Sequence, residues 1–341
     1  MIQTQILYEE NHIEPSMWKI TPEIVYLIES LRTDGYYSLK NREAGIQNKN
    51  LPFLRYIEDI LKQNKINFGK RLLIKVKIPE FEKEDVKLLQ NEKEIRFHIE
   101  KSPFDGSKKI AFNLPSNSQN LDIKIKEDIF PLSVIVGDEE ILTKCEFLSF
   151  GYSEIRFHNI KFLRFLDSLK EIKTKNTEFI ISAFGALIDA EGMLEHRGFY
   201  RKIRIRMKDK SYLENWKVIL KSFDINSNFG RDEKGLYKLE IYGWEDFDKL
   251  IRMGLRFRHS KKIKKFDVIM KSFKRNQVSR NTGKEFYLKK LREISRPITS
   301  EELSKITNKS KRNVNHFLLL LERNEKLIVD KNKIPYVYTA K

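Results

Sequence analysis

The stretch Phe184-Gly185-Ala186-Leu187-Ile188-Asp189-Ala190-Glu191-Gly192 decides how the chain is read. An apolar, small-residue run ends in an acid and then a glycine. With Thr177 as N-cap, the spacing predicts a helix from Thr177 to Ala190. A helix C-terminus carries partial negative charge, so a carboxylate there is disfavoured by up to ~1 kcal/mol. Glycine after it permits a left-handed residue that stops the helix and lets a strand begin at once. The same arrangement stands earlier, where Thr21 caps a helix with Pro22 at its first position, ending in Asp34-Gly35. One acid-glycine end is an ordinary helix stop. Two of them, 191 − 34 = 157 residues apart, call for a common cause.

That cause is an internal repeat. Leu54-Arg55-Tyr56-Ile57-Glu58-Asp59-Ile60-Leu61-Lys62, followed by Ile66-Asn67 and Phe68-Gly69, returns as Leu213-Glu214-Asn215-Trp216-Lys217-Val218-Ile219-Leu220-Lys221, then Ile225-Asn226 and Phe229-Gly230. Both copies are apolar at helical spacing. The chain therefore reads as two related halves, the first over 1–175 with an insertion at about 79–150 that the second lacks, the second over 176–275. Between the helices lie strands of period two. Lys202, Arg204, Arg206 and Lys208 alternate with Ile203, Ile205 and Met207, while Arg71, Lys75 and Lys77 are out of phase with Leu72, Ile74, Val76 and Ile78. Lys238 lies on a further repeat strand. Such strands have one face in a core and the other toward solvent. Their outer faces are expected to be mostly cationic, forming a saddle for phosphates.

The charge balance agrees. Of 341 residues, 66 are Lys or Arg and 48 are Asp or Glu, a formal net charge of +18 that points to a polyanionic partner. A single cysteine, Cys145, excludes a disulfide framework and a cysteine-based zinc site. Neither a membrane span nor a secretory signal is expected, so the chain reads as a reduced, soluble, cytoplasmic protein. The six histidines form no metal-binding spacing. If the two acid-ended helices pack side by side, Asp34 and Glu191 meet between two negative helix ends. That environment asks for a divalent cation, and Mg²⁺ takes one or two carboxylates plus phosphate oxygens and water. Over a basic saddle the expected reaction is hydrolysis of a nucleic-acid phosphodiester.

At these residues the sequence resembles the LAGLIDADG homing endonucleases. The stretch 184–192 matches five of the nine motif letters, with Glu191 in place of the final Asp; Leu27, Asp34 and Gly35 match in the first copy. Glu29 and Ser30 depart from the small and apolar residues of the motif. The resemblance, over roughly residues 20–275, implies an α+β fold of two αββαββα halves straddling double-stranded DNA, in a monomer. It implies Asp34 and Glu191 as catalytic metal ligands for Mg²⁺. By position it adds Lys261 and Lys173, each just before a closing helix, and Gln47, which would order the attacking water.

The tail has a different character. A linker at Ser279–Gly283 precedes a helix at Glu285–Ile294, a second helix opens at Thr299, and a third places Val314, Phe317, Leu318 and Leu321 inward. The third shows Lys311, Arg312, Asn313, Asn315 and His316 outward, and a hairpin tip carries Lys331 and Lys333. Over 284–341 this describes a winged helix-turn-helix reading DNA. Two other functions share these features: a non-cleaving DNA-binding regulator, and a maturase acting on intron RNA. The insertion is expected to be an additional DNA-contacting lobe.

Overall fold

Thr21 opens the first helix as expected: its hydroxyl accepts the Ile24 N–H at 3.3 Å, and Pro22 follows at the first helical position. The structure is a computed structural model and describes residues 18–76, 81–101, 108–146, 148–169, 176–197, 200–273, 282–332 and 334–341. Two compact units divide the chain, one ending at Phe266 and one running from Asp267 to Lys341.

In the first unit the chain runs α1 (Pro22–Thr33), β1 (Gly35–Ser38), β2 (Glu43–Asn48), α2 (Leu51–Gln63) and β3 (Phe68–Val76). The insertion follows, with a 3₁₀ turn at Lys83–Asp85 and strands β4 (Val86–Gln90), β5 (Lys93–Glu94), β6 (Phe97–Lys101), β7 (Lys108–Asn113), β8 (Gln119–Ile125), β9 (Asp128–Val136) and β10 (Ile141–Lys144). The first half resumes with β11 (Leu148–Phe157) and α3 (Ile160–Ser168). The second half runs α4 (Thr177–Glu191), β12 (Gly192–Arg197), β13 (Tyr200–Met207), α5 (Lys210–Ser222), β14 (Ser227–Arg231), β15 (Tyr237–Tyr242) and α6 (Trp244–Arg252). Helix α7 (Ser260–Lys271) comes next. Without the insertion, both halves have the same order of elements. Their sheets also share one strand order, β1-β2-β11-β3 against β12-β13-β15-β14, all antiparallel.

Two details differ from the sequence reading. The N-cap of α4 is Asn176, whose side chain accepts the Glu178 N–H at 2.9 Å, so Thr177 already lies in the helix. The motif glycines do not adopt the left-handed conformation; Gly192 is extended, with φ −80° and ψ 142°. Space is what requires them. A Cβ on Gly192 would lie 2.5 Å from the Ile188 carbonyl oxygen, and one on Gly35 2.7 Å from the Leu31 Cα. Each strand turns back so tightly against the last helical turn that no side chain fits.

The insertion widens the first sheet and roofs it. Strands β7 and β6 extend that sheet to β1-β2-β11-β3-β7-β6, and β10-β9-β8-β4-β5 form a second antiparallel sheet. Leu72, Ile74, Ile110 and Phe112 share a core with Leu88, Leu121, Ile123, Leu132 and Val134. Helices cover the same sheet elsewhere, where Ile46, Ile155 and Phe157 pack with residues of α1, α2 and α3. The insertion is therefore in large part a structural layer, and β11 follows it from Leu148.

The second unit contains α8 (Gly283–Ile294), β16 (Ile298–Thr299), α9 (Ser300–Thr307), α10 (Lys311–Arg323), β17 (Leu327–Asp330) and β18 (Val337–Ala340). Thr299 and Glu302 form a reciprocal capping box at the start of α9. The sheet order is β16-β18-β17, and Tyr287, Leu291, Leu303, Val314, Leu318 and Leu321 make a core of its own. Part of the expected linker, residues 279–281, lies outside the described residues.

Candidate active site

Helices α1 and α4 pack on each other more extensively than any other pair of helices among the described residues. The Ser182 hydroxyl donates to the Pro22 carbonyl, and Ala186 joins Ile24, Leu27 and Leu31 in one core. Gly185 on α4 serves another neighbour: a Cβ there would stand 2.9 Å from the Arg256 carbonyl oxygen, so the glycine admits the segment between α6 and α7. Glu29, unexpected in a motif helix, is buried and accepts the Tyr212 hydroxyl of α5. Arg32 lies over the same ring at 4.4 Å.

The pairing brings Asp34 and Glu191 into one electrostatic environment. Burial raises the pKa of Glu191 and the charge of Asp34 raises it further, while Lys262 opposes both. Asp34 is raised by burial too, against the pull of Lys262 and of the Asn48 amide, which donates to Oδ2 at 3.0 Å. Lys262 of α7 is the shared cation. Burial lowers its pKa, and Asp189, Asp34 and Glu191 hold it up. Its amine donates to the Ile188 carbonyl at 2.7 Å and to that of Asp189, neutralising the C-terminal end of α4.

Of the two acids in Asp189-Ala190-Glu191, only one reaches this environment half-exposed. Asp189 is 1% exposed and accepts the Tyr26 hydroxyl at 2.7 Å, the Arg258 N–H at 2.6 Å and the His259 N–H at 3.3 Å. Burial still raises its pKa, partly offset by these donors. Asp189 thus fastens the segment before α7 to the motif helix, and so fixes where Lys262 emerges.

The other expected site residues fall as follows. Lys261 points outward to Glu140 at 2.8 Å with its side chain 61% exposed; the amine at the carboxylates is its neighbour Lys262. The two are adjacent in a lysine run, and only the helical phase of α7 tells them apart. Gln47 donates to Glu154 at 2.9 Å, within the sheet. Lys173 lies outside the described residues. Asn48 and Asp189 were not singled out in the sequence, since neither a strand-end amide nor a second motif acid has a distinguishing pattern.

The basic faces are more mixed than strand-by-strand reading suggests. Arg71 pairs with Glu154 and, at 2.6 Å, with Glu100. Lys202 reaches Glu240 at 2.9 Å, Arg204 reaches Glu195 at 2.7 Å, Arg206 lies 3.6 Å from Asp232 and Lys238 3.7 Å from Glu240. Most of these carboxylates come from other strands or turns, as Glu154 of β11 does for Arg71 and Glu240 of β15 for Lys202, and are invisible along the strand that carries the cation; Lys238 and Glu240 share β15. Burial would push Glu240 up, but hydrogen bonds from Tyr242, Lys202 and Arg204 bring it down to about 2. Lys75 is half-buried and Lys208 exposed. In the second unit Arg312 and His316 are exposed and Asn315 half-buried. Lys311 pairs with Glu301 at 3.5 Å, Lys331 with Glu322 at 2.8 Å, and Asn313 accepts the Tyr287 hydroxyl at 2.6 Å. Lys77 and Lys333 lie outside the described residues.

Among the described residues no group of three or more His, Cys, Asp or Glu is placed to hold a metal ion. The donor set is two carboxylates, both disfavoured as anions by burial and Glu191 also by its neighbour. A hard divalent cation suits it, provided that phosphate and water complete the shell. No helix among the described residues is long and apolar enough to cross a membrane.

Residues 178–253 match the family model of the LAGLIDADG-like domain. No curated protein matches the chain. Among solved structures, full-length DUF199/WhiA from Thermatoga maritima is similar at 12% identity over 90% of this chain and 94% of that one, with a TM-score of 0.40. The homing endonuclease I-DmoI, in its mesophilic variants, is similar at 14% identity over 69% of this chain and 95% of that one, with a TM-score of 0.36. I-DmoI in complex with DNA and Mn gives 14% identity over 69% and 96%, with a TM-score of 0.36.

Proposed function

We propose that the chain is a site-specific double-strand DNA endonuclease: two pseudo-symmetric LAGLIDADG halves with a C-terminal winged helix-turn-helix, working as a monomer. One observation carries the reading. The acid ending α1 and the acid ending α4, at matching places in the repeat, share one environment around Lys262. Side chains that serve only the fold have no reason to bring two carboxylates together at two negative helix ends, whereas phosphodiester hydrolysis needs them there.

Asp34 and Glu191 would hold Mg²⁺, which when bound supplies an acidified water and charge stabilisation at a phosphodiester. The protein's own part is positional. Asn48 fixes one Asp34 oxygen and leaves the rest of the carboxylate available. Lys262 uses two of its three N–H donors on helix carbonyls and keeps the third for a phosphate oxygen. The outer faces of the sheets grip the duplex, exchanging part of their internal ion pairs for phosphates. Helix α10 adds base-edge contacts from Arg312, Asn315 and His316.

A second reading, a DNA-binding regulator without chemistry, is favoured by a specific observation: the Lys262 amine already interacts electrostatically with both Asp34 and Glu191. Incubation with a library of double-stranded DNA fragments and Mg²⁺, followed by sequencing of new ends, separates the two. Cleavage at one recurrent site supports the endonuclease; specific retention of one sequence without new ends supports the regulator.

A further inference from the structure

The turn between β9 and β10 carries Glu139 and Glu140 to the point where the two halves meet. There the Leu51 N–H donates to the Glu139 carbonyl at 2.7 Å, and Asn50 forms an isolated bridge with Glu140. The Ser260 hydroxyl, in the first turn of α7, donates to Glu139 Oε2 at 3.1 Å. Lys261 pairs with Glu140 and Lys264 with Glu139. These two lysines are 61% and 71% exposed, so their ion pairs add little.

The buried members are Asn50, 1% exposed, and Ser260, 8% exposed. Asn50 donates through Nδ2 to the Ser260 hydroxyl at 2.7 Å and accepts the Ser260 N–H at 3.3 Å. On its other side, its N–H donates to Asn48 Oδ1 at 2.9 Å, and Asn48 donates to Asp34. Hydrogen bonds therefore run without a break from Asp34 in the first half, through Asn48 and Asn50, to Ser260 in the second half, and end on Glu139 of the insertion. Ser260 lies two residues before Lys262, on the same helix.

From this connection we infer that the insertion is a brace for the active site, in which Glu139 acts through Ser260 and Asn50 to set Lys262 against Asp34. This assigns the insertion a role other than DNA contact, and it rests on the reading of Asp34, Glu191 and Lys262 as the reacting groups. Ser260, Asn50 and Glu139 are positioning residues: they touch neither substrate nor metal. The brace is built where it is needed, because Asp34 and Lys262 belong to different halves and their separation is only as fixed as the join between those halves.

The test uses the full-length protein with Ser260→Ala, Glu139→Ala and Ser260→Thr. Asn50 caps α2 and is left intact, since its loss would threaten folding. In DNA cleavage, the two alanine variants are expected to lose about 10- to 100-fold in kcat, the usual cost of removing a supporting hydrogen bond, with KM unchanged. Amide hydrogen exchange without DNA or metal is expected to rise in residues 255–266 and 44–50 but not in the two motif helices. Ser260→Thr, which keeps the hydroxyl, should restore both. Unchanged kcat and exchange in the alanine variants would overturn the brace. So would a rise in exchange spread evenly over the unit with a matching fall in Tm, because that describes general stability and not positioning. If the wild type cuts no DNA, the endonuclease reading falls and the local exchange pattern alone decides the brace.

Discussion

Asp189 and Glu191 stand two residues apart on one helix and serve opposite ends. Asp189 is consumed by three donors, while Glu191 faces another carboxylate. Their separation was legible in the sequence only for Glu191, because the glycine after it marks the helix end; nothing marks a buried acceptor. Lys262 makes the internal charge testable. Lys262→Met should raise divalent-metal affinity about tenfold, near 1.4 kcal/mol, by removing a competing cation, and calorimetric titration with Mg²⁺ or Mn²⁺ reads this directly. Unchanged affinity would place the amine away from the metal position. Glu29 gives a pH prediction. Burial raises its pKa to about 8, with Arg32 opposing, whereas an unfolded chain ionises near the ordinary value of 4.5. A folded pKa above the unfolded one means stability that is complete below pH 4.5 and lost as pH rises toward 8. Glu29→Gln should abolish that loss and gain on the order of 3 kcal/mol over wild type at pH 8. Parallel wild-type and variant stability curves between pH 5 and 8 would refute the assignment.

The caps at Thr21 and Thr299, the two repeat helices and the period of the strands could be read from the chain because each depends on neighbours in sequence, whereas the cap of α4 is Asn176 and not Thr177. The role of the glycines could not. Left-handed geometry was the local expectation, and the close return of a strand onto its helix is a tertiary fact. Gly192→Ala is expected to cost about 1–3 kcal/mol through overpacking against the Ile188 carbonyl, read as a fall in Tm; an unchanged Tm would show that the turn relaxes freely. The charge of the sheet faces is hidden in a single strand for a similar reason, since Glu240 answers Lys202 and Arg204 from the next strand. Glu240→Gln should free these cations. DNA affinity is then expected to rise and to fall off more steeply with salt, by about one phosphate contact in the slope.

Across the whole chain, repetition made the fold legible. Two copies of helix, strand pair, helix and strand pair reproduce one strand order, although the first copy is split by an insertion whose docking no local pattern announced. The second unit was readable for a simpler reason: its core is drawn entirely from its own consecutive residues. Removal of residues 285–341 should therefore leave the first unit folded, weaken DNA binding and lower its salt slope, as followed by fluorescence anisotropy at several salt concentrations. Unchanged affinity would remove α10 from the DNA-reading surface.

The central claim is that one acid from each half does the chemistry together, and paired cleavage and binding assays on Asp34→Asn and Glu191→Gln test it most directly. The account predicts that each variant loses at least about 10³-fold in cleavage, some 4 kcal/mol of transition-state stabilisation, while binding the same DNA as tightly as the parent or more so. Variants that cut at the parental rate, or that lose binding and cutting in equal measure, would contradict it.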